Sequence, residues 1–244
     1  MRCQPRYKGE VYICLKNVHH CLLCDEPADA QTPLCMACET DLPWLGEQCL
    51  TCALPMPAPG LTCGECLLEP PAFETVAVPW MYGFPVDSLI TRFKHNAKWP
   101  FGHLLADVLG QYLHHRFEED LPRPQALLPV PLAGKRLRQR GFNQAAMLAR
   151  WLSQQLDVPC EENVLRRVQD TSAQQELDAK ARKRNLRSAF ALEPEAQVRG
   201  RHLALVDDVL TTGATAQALA RLLMAAGAAR VDVYCLARTP KPGS

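Results

Sequence analysis

Neither lysine nor arginine occurs between Asn17 and Pro70, a stretch that carries eight aspartates and glutamates. A segment so short of cations repels a phosphate backbone, so this part of the chain is excluded as a nucleic-acid surface. Long apolar runs are also missing. None approaches the ~20 residues that a membrane-spanning helix requires. The first 20 residues, MRCQPRYKGEVYICLKNVHH, hold no continuous apolar core and no small-residue cleavage site, so no secretory signal is read there and a cytoplasmic location without membrane insertion is expected. Aromatic residues are only 7% of the chain, which leaves few platforms for base stacking.

Cysteine is abundant instead. Eight of the 12 form four Cys-x-x-Cys pairs at Cys21/Cys24, Cys35/Cys38, Cys49/Cys52 and Cys63/Cys66. One such turn presents two thiolates to a metal, and two turns complete a tetrahedral four-sulfur site. Four pairs therefore predict two structural zinc ions. The regular spacing suggests an internal duplication. Short gaps within each half favour sequential pairing, although cross-braced pairing satisfies the same spacing. Two such sites, each with a net charge of −2, add to the acidity of the segment and suit it to docking protein partners.

Beyond LLEPPAF (67–73), a proline-rich linker by composition, the texture becomes that of an α/β domain. Three domain segments are expected: a lead-in over 1–20, a double zinc ribbon over 21–70 and an α/β domain over 71–244. Helical spacing runs through VDSLITRFKHN, FGHLLADVLGQYLHHRF and FNQAAMLARWLSQQL. ETVAVPWMY, ALLPVPL, HLALV and RVDVYCLA read as strands. The last two flank the helix TAQALARLLMAA with short connections, which implies a parallel βαβ unit.

Within that unit stands ALVDDVLTTGAT. Asp207 and Asp208 are placed at the carboxyl end of a buried strand, where open α/β sheets bind ligands. Thr211, Thr212, Gly213, Ala214 and Thr215 lead into a helix whose free N–H groups favour an anion such as phosphate. Hydroxyls beside a phosphate, as in a sugar phosphate, match that layout.

LALVDDVLTTGAT resembles the phosphoribosyl pyrophosphate signature of type I phosphoribosyltransferases. PVPLAGKRLRQRGFNQ and RRVQDTSAQQELDAKARKRNLRSAF are similar to segments of the ComF/GntX branch, a DNA-uptake-associated group that also carries a double zinc ribbon. The resemblance implies a type I phosphoribosyltransferase-like parallel sheet flanked by helices. It assigns Asp207 and Asp208 to the ribose 2′ and 3′ hydroxyls, and Thr211–Thr215 to the 5′-phosphate. Lys135, Arg136 and Arg140, with Arg138, correspond to its pyrophosphate loop. Lys180, Arg182 and Arg184, with Lys183 and Arg187, occupy its catalytic hood. Mg²⁺ accompanies the pyrophosphate, since the departing group gathers negative charge.

Two functions are compatible with these residues. One is Mg²⁺-dependent phosphoribosyl transfer to an acceptor that no motif identifies, tied to the use of imported DNA. The other is a non-catalytic accessory that senses a nucleotide or holds single-stranded DNA on the basic loops, and docks DNA-processing proteins through its ribbons. Phe142 and Trp151 fall at core-facing helical positions, so no stacking platform is read in the sequence.

Overall fold

A computed structural model of the chain describes residues 19–28, 32–96, 98–168 and 188–241. The chain divides into two compact units, one ending at Asp41 and the other beginning at Leu42.

The first unit holds a two-residue antiparallel hairpin, β1 (His19–His20) and β2 (Pro27–Ala28), followed by helix α1 (Met36–Thr40). Cys21 and Cys24 lie in the turn after β1, and Cys35 caps α1, accepting the Cys38 N–H on its Sγ. The Cys21 N–H donates to Glu26 O, the Asp25 N–H to Cys21 O and the Leu22 N–H to Pro33 O. All three bonds recur 28 residues on in the second unit, as Cys49 N–H to Leu54 O, Ala53 N–H to Cys49 O and Leu50 N–H to Leu61 O. Asp25 and its counterpart Ala53 share a positive φ, of 65° and 54°. Here α2 (Gly64–Leu68) replaces α1. The duplication suggested by the cysteine spacing is thus a duplication of backbone turns.

The second copy is built into the body of its unit. Ala53 is fully buried in the main core cluster together with Phe73, and Cys52 packs against that cluster. Phe73 belongs to the proline-rich connection, whose Ala72 N–H also donates to Gln217 Oε1. Further on, β3 (Val76–Ala77) and β4 (Trp80–Met81) are the two halves of the single strand expected over ETVAVPWMY. Pro79 separates them because it has no N–H to give to a ladder.

Next come helices α3 (Val86–Asn96) and α4 (Trp99–Glu119), strand β5 (Ala126–Pro129), the short helix α5 (Gly134–Arg140) and helix α6 (Gln144–Leu156). A small antiparallel pair follows, β6 (Leu165–Arg167) with β7 (Phe190–Leu192). The chain closes with β8 (His202–Leu210), α7 (Ala214–Ala225) and β9 (Arg230–Arg238). The main sheet is parallel, in the order β3-β9-β8-β5, with β4 also on β9. Leu203 and Leu205 of β8 share the main cluster with Leu219 and Leu223 of α7. Strand periodicity turns the alternate residues to the opposite face, which α4 and α6 cover. Burial on both faces is why the central strands read as continuous apolar runs.

Two expectations are corrected here. The strand ends four residues later than HLALV implies, because β8 keeps pairing with β9 as far as Leu210↔Arg238. The acid pair therefore lies within the strand. Secondly, GKRLRQR is a helix, closed by Gly141 in the left-handed conformation at φ 82°. Among the described residues no helix is long and apolar enough to cross a membrane.

Candidate functional site

The four pairs gather as two clusters, Cys21/Cys24/Cys35/Cys38 and Cys49/Cys52/Cys63/Cys66, each with its sulfurs within 4.8 Å of one another. This settles the pairing as sequential. Cys24 Sγ lies 3.6 Å from Cys35 Sγ, and Cys52 Sγ 3.7 Å from Cys63 Sγ. A disulfide needs about 2.05 Å. A tetrahedron of ~2.3 Å zinc–sulfur bonds has edges of about 3.8 Å, which these separations match. Backbone N–H groups favour thiolates: Cys63 N–H lies 3.2 Å from Cys49 Sγ. Burial opposes charge on Cys21 and Cys49, yet backbone N–H groups around each sulfur outweigh it and lower the two thiols to about 6 and about 7. Cys38 is pushed up chiefly by Cys24, and Cys66 chiefly by burial and then by Cys52. Four thiolates this close repel one another unless a cation sits among them. Both clusters are thus four-cysteine zinc-binding sites.

The second group of functional residues lies at the carboxyl edge of the parallel sheet. Asp207 is half-buried and Asp208 is 5% exposed. Asp207 Oδ1 accepts the Asp208 N–H at 2.9 Å, which turns that carboxylate back along the strand. Asp208 Oδ2 lies 2.8 Å from Lys94 Nζ. Burial, and then the neighbouring Asp208 charge, push the Asp207 carboxyl up to about 7, with Lys94 opposing.

After Leu210 the chain turns through Thr211 and Thr212, both exposed, to Gly213 at φ 72°. Gly213 precedes α7 and offers it no side-chain cap, so the N–H groups of the first turn face outward. A Cβ on Gly213 would meet nothing within 4 Å, but the left-handed backbone would strain any other residue. Thr212 Oγ1 accepts the Ala214 N–H at 3.4 Å, while Ala214 and Thr215 are half-buried in the first turn. The strand end, the turn and the helix start thus lie together beside two carboxylates.

Of the basic candidates, Arg140 is brought to the acid pair. It is half-buried, donates to Gln144 Oε1, and has its pKa lowered by burial against the opposing pull of Asp208. Lys135 and Arg136 are exposed on α5. Lys180, Arg182 and Arg184 lie outside the described residues. The RGFNQ segment divides its work: Gly141 ends α5, Asn143 caps α6 through the Ala145 N–H, and Asn143 Nδ2 donates to Val130 O at 3.0 Å, holding α6 to the end of β5. Phe142 joins Phe93, Trp99 and Trp151 in a ring cluster, with Trp99 and Phe142 centroids 5.0 Å apart. Trp99 is 39% exposed, so this cluster has an accessible rim.

Sequence reasoning missed two residues. Lys94 is one cation on an amphipathic helix, and no local pattern tells that it reaches Asp208. Arg238 ends β9 and donates to Leu210 O beneath the turn. Both contacts cross the fold, so neither leaves a signal of its own in the sequence.

Elemental analysis of protein purified without added metal should find two zinc ions per chain, and iron in their place would overturn the assignment. Asp207 makes a separate prediction. Its folded pKa lies above its unfolded value of about 3.9, so its contribution to stability is full below pH ~4 and is lost as pH rises through about 7. Asp207→Asn keeps the acceptor for the Asp208 N–H and removes this loss. In urea denaturation the variant's advantage should be smallest near pH 4 and should grow as pH rises toward 7. At pH 8 the variant should be more stable by on the order of 1–3 kcal/mol.

Comparisons with known proteins identify the family. A phosphoribosyl transferase domain model matches residues 143–243, and a double zinc ribbon domain model matches residues 18–67. The DNA utilization protein YhgH of Escherichia coli K12 is 38% identical over 171 residues, which cover 70% of this chain and 74% of that protein. Competence protein F of Haemophilus influenzae is 38% identical over 172 residues, 69% of this chain and 74% of that protein. Competence protein ComFC of Bacillus subtilis is 33% identical over 114 residues, 46% of this chain and 44% of that protein. Among solved structures, a purine phosphoribosyltransferase from Pyrococcus horikoshii aligns at 17% identity with a TM-score of 0.38, over 57% of this chain and 78% of that one. With a zinc ribbon at each end of residues 18–67 and a parallel sheet bearing the acid pair, this chain belongs to the family of competence protein F and YhgH, a double zinc ribbon joined to a phosphoribosyltransferase-like domain.

Proposed function

We propose that the chain binds phosphoribosyl pyrophosphate, or a nucleotide with the same 5-phosphorylated ribose, at the carboxyl edge of its sheet. The observation that carries this reading is the acid pair of β8, followed by a three-residue turn, Thr211, Thr212 and Gly213, into the start of α7, where Gly213 supplies no side-chain cap. In this reading Asp207 and Asp208 accept the ribose hydroxyls, and Thr211, Thr212, Gly213, Ala214 and Thr215 surround the 5′-phosphate. Lys94 is then a counter-charge that the sugar displaces from Asp208. Arg140, with Lys135 and Arg136 on the same helix, serves the pyrophosphate, and Mg²⁺ completes its neutralisation. Lys180, Arg182 and Arg184 belong to the segment expected to cover the ligand. Transfer breaks the bond from C1′ to pyrophosphate and forms one from C1′ to an acceptor nitrogen, which gives up its proton. The relatives' names connect them with DNA utilization and competence, and we extend that role, in the cytoplasm, to this chain.

Calorimetric titration with phosphoribosyl pyrophosphate and Mg²⁺ tests the proposal. Asp207→Asn and Asp208→Asn should each weaken binding by about 1.5–3 kcal/mol, the worth of a charge-assisted hydrogen bond. Unchanged affinity in both variants would remove the ribose assignment. No binding by the wild type would remove the ligand.

A second reading is favoured by one observation. The exposed Trp99 packs at a tilt against Phe142, next to the basic helix α5. Single-stranded DNA could lie there, with DNA-processing proteins docked on the acidic ribbons. A fragment of residues 42–244 preserves the second ribbon in its packed place. Its affinity for single-stranded DNA should equal that of the full chain and fall steeply with salt. Binding confined to residues 17–41, which hold no Lys or Arg, would refute the charge argument.

A further inference from the structure

Arg238 is 7% exposed, and its recorded hydrogen bonds all go to backbone carbonyls. Its Nε donates to Cys52 O at 3.0 Å. Its Nη1 donates to Leu210 O at 3.1 Å, to Thr239 O at 2.8 Å and to Thr211 O. One side chain thus spans the second cysteine cluster, through the backbone of one of its four ligands, and the turn that opens α7.

Two consequences follow from elementary geometry. In a trans peptide the C=O and the following N–H point in opposite directions. Drawing the carbonyls of Leu210 and Thr211 toward Arg238 therefore turns the N–H groups of Thr211 and Thr212 away from it, toward the open side of the turn. The guanidinium, held among these carbonyls, also lies directly behind the turn. Arg238 is itself held at both ends. Its backbone pairs with Leu210 at the last rung of β8 and β9, and its side chain is anchored at Cys52. The Cys52 turn is held in place by Val76 N–H donating to Thr51 O at 3.0 Å, and by Ala53 buried in the core.

We propose that Arg238 is a positioning residue for the anion-binding turn, and that through it the intact second cysteine cluster sets the affinity of the turn for phosphate. The second ribbon is then part of the ligand site, acting from behind the turn. This rests on the reading that the turn holds a phosphate, so the test separates the two.

Full-length wild type, Arg238→Gln, Arg238→Lys, Cys66→Ser and the double variant Arg238→Gln/Cys66→Ser are compared. Circular dichroism confirms the fold. Cys66 is chosen because its own backbone makes no bond to Arg238, and the double variant separates a route through Arg238 from the nearby Glu65–Lys241 and Glu69–Arg221 ion pairs. Titration with phosphoribosyl pyrophosphate and Mg²⁺ is the first readout, and amide hydrogen exchange of residues 211–215 without ligand is the second. Arg238→Gln and Cys66→Ser should each weaken binding about tenfold or more. The double variant should be no weaker than the worse single one, because both act on one contact. Arg238→Lys should recover part of the affinity. Exchange at residues 211–215 should quicken in both single variants while the amides of α6 keep their protection. Should Arg238→Gln fail to fold, Arg238→Lys and Cys66→Ser carry the comparison. Wild-type affinity and exchange in Cys66→Ser, or losses that add in the double variant, would overturn the proposal. If the wild type binds no ligand, the phosphate reading fails, and the exchange data alone decide whether the cluster positions the turn.

Discussion

Pairing between β8 and β9 runs from His202↔Arg230 to Leu210↔Arg238, and the candidate site depends on its last rungs. Were β8 to leave the sheet after Val206, Asp207 and Asp208 would belong to a loop and solvent would level their charges. Because the ladder continues, Asp208 is buried and within reach of Lys94, and Asp207 is held where burial favours its neutral form. The same rungs deliver Arg238 beneath the turn. A parallel ladder thus carries the carboxylates, the turn and a buried cation into one place, with no side chain moved far from its strand.

The cysteine clusters solve a different physical problem. Neither ribbon has strands or helices longer than five residues, and a segment that small cannot bury enough apolar surface to fold alone. Metal binding is the missing stabilisation. The two copies share their turns but not their surroundings. The first forms the compact unit that ends at Asp41, while the second is sealed by Ala53, Cys52 and Phe73 into the core of the sheet domain. A duplicated motif has therefore acquired two settings, and the second is bonded to Arg238 at the carboxyl end of β9.

Electrostatics separates the two ends of the chain in the same way. The cation-free stretch from Asn17 to Pro70 presents carboxylates and metal-bound thiolates. The cations that matter to the sheet edge come from three distant elements: Lys94 from α3, Arg140 from α5 and Arg238 from β9. Lys94 pairs with Asp208 and Arg238 with backbone carbonyls, so these cations offset the acid pair in a molecule of formal net charge +1.

The sequence by itself determined whatever depends on neighbours along the chain. Cysteine spacing stated two metal sites, since a Cys-x-x-Cys turn is local chemistry. Apolar runs ending in Asp207 and Asp208, followed by Thr211–Thr215, stated a strand, a turn and a helix, since each has a short-range signal. Tertiary structure decided what lies far apart in sequence. Strand pairing, not composition, set the end of β8 at Leu210. Pro79 breaks the expected strand because it has no N–H to give, and GKRLRQR, rich in good helix formers, forms α5 without burying a side chain. Lys94 and Arg238 acquired their partners only when helix and strand were laid against the acid pair, because a single charged residue carries no record of the distant group it will meet.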